Sequence, residues 1–177
     1  MRIQRTQRPA VVAAMLAAFG GIAVAQAAND VTTGPVSGLQ VPRFVSIKPD
    51  KVRVHAGPTM EQEVLWVYKR AGLPVEITAE SENWRRIRDS EGGEGWVYHS
   101  LLSGKRTAVV GAKAKGDFVA LYAKPDAQSS IIARLEAGVL GAVKQCTGKW
   151  CRIQGSGFDG WIAQERLWGV YPDEQVE

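Results

Sequence analysis

The stretch WRRIRDSEGGEGWV, residues 84–97, returns as WCRIQGSGFDGWI, residues 150–162. Trp84, Arg86 and Ile87 face Trp150, Arg152 and Ile153, and Gly95, Trp96 and Val97 face Gly160, Trp161 and Ile162. Working outward, Gly72 meets Gly138, Val64 and Leu65 meet Ile131 and Ile132, and Val54, Ala56 and Pro58 meet Leu121, Ala123 and Pro125. Val52 meets Val119, and the offset falls from 67 to 66 to 65 residues, so each of the two single-residue gaps lands in a turn-like stretch. Repeats of this length are independent folding units rather than solenoid turns.

Within each unit the segments are short, β-branched or aromatic, and punctuated by Gly, Pro, Asn and Asp, which reads as a small all-β barrel. The pattern predicts strands near 51–54, 64–68, 74–79, 84–88 and 95–98 in the first unit. A hairpin turn is expected at 81–83 and a Gly-rich one at 90–94, where glycine supplies positive φ without steric cost. The second unit repeats this plan from 117 to 167, with 147–149 as its tight turn. No long amphipathic helical period follows residue 27, so helix is limited to a turn or two.

The run from Val52 through His55, Gly57 and Pro58 to Val64 and Leu65, then Lys69 to Gly72, Asn83 and Trp84, and finally Gly95, Trp96 and Val97, resembles the bacterial SH3-like (SH3b) domain family. The resemblance covers about residues 43–168 and extends to the tandem SH3-like exported proteins of Gram-negative bacteria. It implies an all-β fold of two tandem SH3-like small β-barrels. The family pattern usually has Arg where His55 stands, and Tyr122 and Lys124 replace that Arg and the following Gly in the second unit. The expected organisation is a signal peptide at 1–27, a flexible lead at 28–42, domain 1 at 43–104, a connector at 105–116, domain 2 at 117–168 and a tail at 169–177. The apolar pair Val109 and Val110 suggests that the connector partly packs between the modules. Trp168, Val170 and Tyr171 make the tail too apolar for a free end.

Arg2, Arg5 and Arg8 precede an uncharged apolar run from Val11 to Val24 and a small-x-small site at 25–27, the pattern of a secretory signal peptide. The uncharged span is barely long enough to cross a bilayer, so a permanent anchor is the weaker reading. No Cys stands at the junction to accept a lipid. A periplasmic or secreted protein follows, with no membrane span after cleavage. Those three arginines carry most of the excess of 22 basic over 18 acidic residues. The remaining chain is nearly neutral, which argues against nucleic acid as a partner. Cys146 and Cys151, exported to an oxidising compartment, are expected to form a disulfide across a hairpin. Their spacing is not CxxC and no His lies nearby in sequence, which counts against a metal or redox role.

No catalytic set is visible. The two histidines, His55 and His99, lie in the first unit and both cysteines in the second, and a nucleophile needs a base within hydrogen-bond reach. GxSxG, HExxH and phosphate-cradling loops are missing, and neither a cofactor nor a metal is expected. Modules of the resembled family usually serve as targeting or binding parts, often beside peptidoglycan hydrolases. The expected function is therefore a non-catalytic cell-envelope binding or adaptor protein that recognises cell-wall peptide or an envelope protein. The alternative is a peptidoglycan hydrolase or an activator of one.

The repeat serves as an internal control for binding residues. Trp84 with Trp150, and Trp96 with Trp161, recur and read as fold elements inside the barrels. Trp66, Tyr98 and His99 stand opposite Ala133, Ala163 and Gln164, so the barrel plan does not demand them, and they could line a groove. Trp66 shares a strand face with Val64 and Tyr68, which also suits a core-facing or interdomain role. His55 is either a turn residue or a ligand contact. Arg85 and Arg86, with Arg88, could grip a carboxylate or phosphate. Glu82, Asp89, Glu91 and Glu94 lie close enough to neutralise them, and a solvated, ion-paired strand is the favoured reading.

Overall fold

The computed structural model describes residues 31–111 and 117–177. The signal peptide expected at 1–27 and the end of the connector at 112–116 lie outside the described residues. Strands are numbered in chain order. A short hairpin of β1 (Thr32–Thr33) and β2 (Gln40–Val41) leads into the first barrel. That barrel comprises β3 (Arg43–Ile47), β4 (Val52–His55), β5 (Val64–Tyr68), β6 (Pro74–Ser81), β7 (Trp84–Arg88), β8 (Glu94–Tyr98) and β9 (Leu102–Ser103). The second comprises β10 (Thr107–Val110), β11 (Phe118–Tyr122), β12 (Ile131–Glu136), β13 (Leu140–Thr147), β14 (Trp150–Gly155), β15 (Phe158–Ala163) and β16 (Leu167–Trp168). A last strand, β17 (Gln175–Val176), adds to β13. A single 3-10 turn precedes the final strand of each barrel, at His99–Leu101 and Gln164–Arg166.

The two sheets have one topology. The first runs β5-β4-β8-β7-β6-β3-β9 and the second β12-β11-β15-β14-β13-β10-β16, so each strand has its counterpart in the same place. Even the irregularities recur, as bulges at Val54/His55 and Leu121/Tyr122 and again at Ile77/Ala79 and Val143/Gln145. Ile47 N–H donates to Leu73 O and Gly72 N–H to Ile47 O; Val110 and Gly138 repeat both bonds. The second barrel therefore begins inside the segment expected to be a connector. Ala108 and Val110 point into its core, whereas half-buried Val109 faces the first module.

Alternation decides what is buried. Val52, Val54, Val75, Ile77, Ile87 and Val97 belong to the first core, and Leu121, Leu135, Val143, Ile153 and Ile162 to the second. Burying each such side chain contributes about 1.5–3 kcal/mol. The same alternation corrects one expectation: Val97 and Ile162 face inward, so Trp96 and Trp161 lie half-buried on the outer face, and Trp84 alone of the recurring tryptophans is fully buried. Gly95 and Gly160 precede them because an added Cβ would lie 2.4 Å from Val54 Cγ1 and 2.6 Å from Ile132 Cδ1.

Residues 31–42, expected to be a flexible lead, are held in place. Glu80 accepts from the Val36 and Ser37 amides, from Ser37 Oγ and from Arg43 Nη2, and its carboxylate is fully out of solvent. Burial would raise the pKa of Glu80, but these hydrogen bonds outweigh it and hold the carboxyl at about 2. The tail docks onto both barrels. Val170 enters the second core, Tyr171 packs on Phe44 at 4.6 Å, and the Tyr171 hydroxyl donates to Glu76 Oε1 at 2.9 Å.

Candidate binding clefts

In the first barrel, β4, β7 and β8 bring His55, Trp84 and Tyr98 together. The His55 ring stands edge-on to Trp84 at 5.3 Å, Tyr98 packs edge-on against Trp84 from another direction at 5.7 Å, and His99 leans on Tyr98 at 5.1 Å. His55 is buried, and its Nδ1 donates to the Gln62 carbonyl at 3.0 Å. That bond fixes the ring and leaves Nε2 as the remaining nitrogen. Tyr122 meets Trp150 edge-on at 5.4 Å in the second barrel, so His55 occupies a packing position that both modules use. Tyr98 and exposed His99 have no such counterpart.

His55, Trp84 and Tyr98 floor a cleft of about 300 Å³, closed by Met60 and Leu101 and rimmed by Lys51 and Arg53, and His99 is not part of its lining. Both cations are exposed and neither pairs with a carboxylate among the described residues. The second module has Phe118 and Ala120 at the corresponding positions, so the basic rim belongs to the first alone. Sequence reasoning did not single out Lys51 and Arg53. The signal was present in the alternation Lys51, Val52, Arg53, Val54, which turns both cations outward while the valines enter the core.

Trp66 lies elsewhere, on β5. It stands edge-on to Tyr68 at 6.1 Å in a cleft of about 590 Å³ at the seam of the modules, where Val109 of β10 forms part of the wall. The Tyr68 hydroxyl donates to Asp89 Oδ2 at 3.0 Å. Burial, with the charges of Asp89 and Glu91 beside it, pushes the Tyr68 hydroxyl well above the ordinary tyrosine range. A third cleft, of about 680 Å³, opens in the second module between Trp150, Lys149, Gln164 and the tail residues Val170 and Pro172, where Ala163 replaces the bulk of Tyr98.

The arginine cluster is internally committed. Arg85 is buried, donates to the carbonyls of Glu82 and Trp84, and pairs with Glu80 at 3.3 Å. Arg86 pairs with Glu94, and Arg88 with buried Glu76. Carboxylates across the ladder thus take up the guanidinium forks that the sequence offered to a ligand. Cys146 and Cys151 are joined across the β13–β14 hairpin, S–S 2.02 Å, and both are buried.

Residues 48–104 and 115–169 each match the family model described as Bacterial SH3 domain, together more than half of the chain. No curated protein matches. Among solved structures, NlpC2 from Trichomonas vaginalis is 14% identical with a TM-score of 0.34, over 73% of this chain and 49% of that one. NlpC1 from the same organism is 13% identical with a TM-score of 0.34, over 76% and 48%. This chain spans about half the length of each. The Endolysin LysPBC5 CBD is 17% identical with a TM-score of 0.30, over 77% of this chain and 96% of that one.

Proposed function

The chain belongs to the bacterial SH3 domain family, and on that premise we propose that it is a non-catalytic binding or adaptor protein of the cell envelope, whose first module holds a carboxylate-bearing cell-wall peptide in the cleft of His55, Trp84 and Tyr98. One observation carries this reading: a preformed aromatic floor lies beside two unpaired cations, Lys51 and Arg53. Aromatic rings supply contact area at little entropic cost, and the cations supply charge-assisted bonds to the carboxylates of an extended peptide. Neither charge needs to be stripped from an existing partner. Because both cysteines lie in one disulfide, the described chain offers no thiolate for a Cys–His reaction centre. The disulfide and the N-terminal export pattern suit a periplasmic or secreted location. Among the described residues no helix is long and apolar enough to cross a membrane.

Sedimentation with insoluble peptidoglycan tests the reading. The wild-type chain is retained at low salt and released as salt rises, whereas Lys51→Glu/Arg53→Glu stays in the supernatant. A wild-type chain that fails to sediment removes the wall branch, and cross-linking in cells then identifies an envelope protein in its place. Clearing of cell-wall material in a zymogram would instead favour a hydrolase.

A further inference from the structure

We propose that the cleft at the seam of the two modules is a second recognition site, which takes a primary ammonium group such as the side chain of a lysine-like residue in a peptide. The inference rests on the peptide reading above only in taking the ligand to be a peptide. Its walls are apolar and aromatic: Trp66 and Tyr68 stand edge-on to each other at 6.1 Å, with Pro74 from β6 and Val109 from the second barrel facing them. The site is therefore complete only when both modules are docked.

Two carboxylates line one side of it. Asp89 is fixed, since Oδ1 accepts from the Glu91 and Gly93 amides and Oδ2 from the Tyr68 hydroxyl. Oδ2 keeps a free lone pair. The Glu91 carboxylate is exposed and pairs with nothing among the described residues. Among the described residues no cation lines the cleft, and Arg88, which precedes Asp89 in the chain, pairs with Glu76. Burial is the main cause of the raised pKa of Tyr68, and the charges of Asp89 and Glu91 add to it.

The second module again serves as control. Trp66, Tyr68 and Asp89 correspond to Ala133, Leu135 and Gly155 there, so the barrel fold requires none of the three. An aromatic wall attracts a cation through its ring electrons, and adjacent carboxylates accept its N–H groups. That combination suits a primary ammonium better than a quaternary one, which has no proton to donate, or a neutral amide.

The test uses the full ¹⁵N-labelled chain and two capped tripeptides, Ala-Lys-Ala and its Nε-acetylated form, with the indole N–H resonance of Trp66 as the reporter. The lysine peptide shifts that resonance saturably, and the acetylated peptide binds at least about ten-fold more weakly. In Glu91→Gln the lysine peptide binds about three- to five-fold more weakly, the range of one partly exposed ion pair. Glu91 accepts no internal bond through its side chain, so folding is not at stake. Equal shifts from both peptides, no shift from either, or indifference to Glu91→Gln each overturn the proposal. The Trp84 indole, in the other cleft, separates the two readings: a response confined to Trp66 leaves this site standing even where the wall peptide fails to bind.

Discussion

Replacing Tyr171 with phenylalanine removes one oxygen from the seam between the barrels and leaves the ring that packs on Phe44 in place. The hydroxyl donates at 2.9 Å to Oε1 of Glu76, a carboxylate only 1% exposed whose other oxygen is occupied by Arg88. A hydrogen bond to a charged group contributes about 1.5–3 kcal/mol net, and its loss leaves a buried oxygen without a donor. Tyr171→Phe is therefore expected to cost about 2 kcal/mol, measured by urea denaturation followed by tryptophan fluorescence. The double variant with Glu76→Leu, which removes the acceptor, isolates the pair, and its cost should fall short of the sum of the single variants by about 1 kcal/mol or more. Since Glu76 belongs to the first barrel and Tyr171 to the tail of the second, both modules should unfold in one transition. A loss below about 0.5 kcal/mol, additive single variants, or two separate transitions would show that the contact does not join the barrels.

Other outcomes follow from single features. Reducing the Cys146–Cys151 bond should lower stability by about 2 kcal/mol, the entropy of one short loop; an unchanged denaturation midpoint under reductant would exclude that contribution. Gly95→Ala places a methyl 2.4 Å from Val54 Cγ1 and should cost about 1–3 kcal/mol. Gly104→Ala, with nothing within 4 Å, should be nearly neutral in the same melt. The carboxyl of Glu80 is depressed from 4.5 to about 2, so its hold on the lead hairpin is intact above pH 4.5 and is lost as pH falls toward 2. The protection of the Val36 and Ser37 amides, measured against the intrinsic exchange rate at each pH, should fall across that window, and in Glu80→Gln at neutral pH. At the alkaline end Tyr171 keeps its proton above the ordinary value of 10 while the unfolded chain loses it, so stability falls as pH rises past 10.

The repeat made the fold legible. Two copies of one glycine and tryptophan pattern can be superposed on paper, and the shared strand order, bulges and turn bonds are what that superposition implies. The first strand of the second barrel was hidden because Thr107 to Val110 shares no residue type in register with Arg43 to Ile47 beyond β-branched bulk, and three lysines and an arginine within 105–116 resemble a linker. The recurring tryptophans signalled the fold, yet Trp96 and Trp161 are only half-buried, since Gly95 and Gly160 rather than tryptophan take the inward positions of β8 and β15.

Within the candidate sites, residues special to one module were legible and their partners were not. Trp66 and Tyr98 stood out against Ala133 and Ala163, and each lines a cleft. Arg85 stood out too, opposite Cys151, whereas Arg86 recurs as Arg152; Glu94 was legible as a neutralising neighbour, but Glu80 reaches Arg85 only through strand register. The tail was legible as apolar, and its reach across to Glu76 required the folded chain.

The most direct measurement of the proposed recognition is a titration of the ¹⁵N-labelled chain with soluble carboxylate-bearing cell-wall peptides at low salt. The expected result is a saturable set of shifts centred on Lys51, Arg53, the Trp84 indole and residues 98–101, abolished by Lys51→Glu/Arg53→Glu. Shifts that gather elsewhere, or a spectrum that does not respond at millimolar peptide, would contradict it.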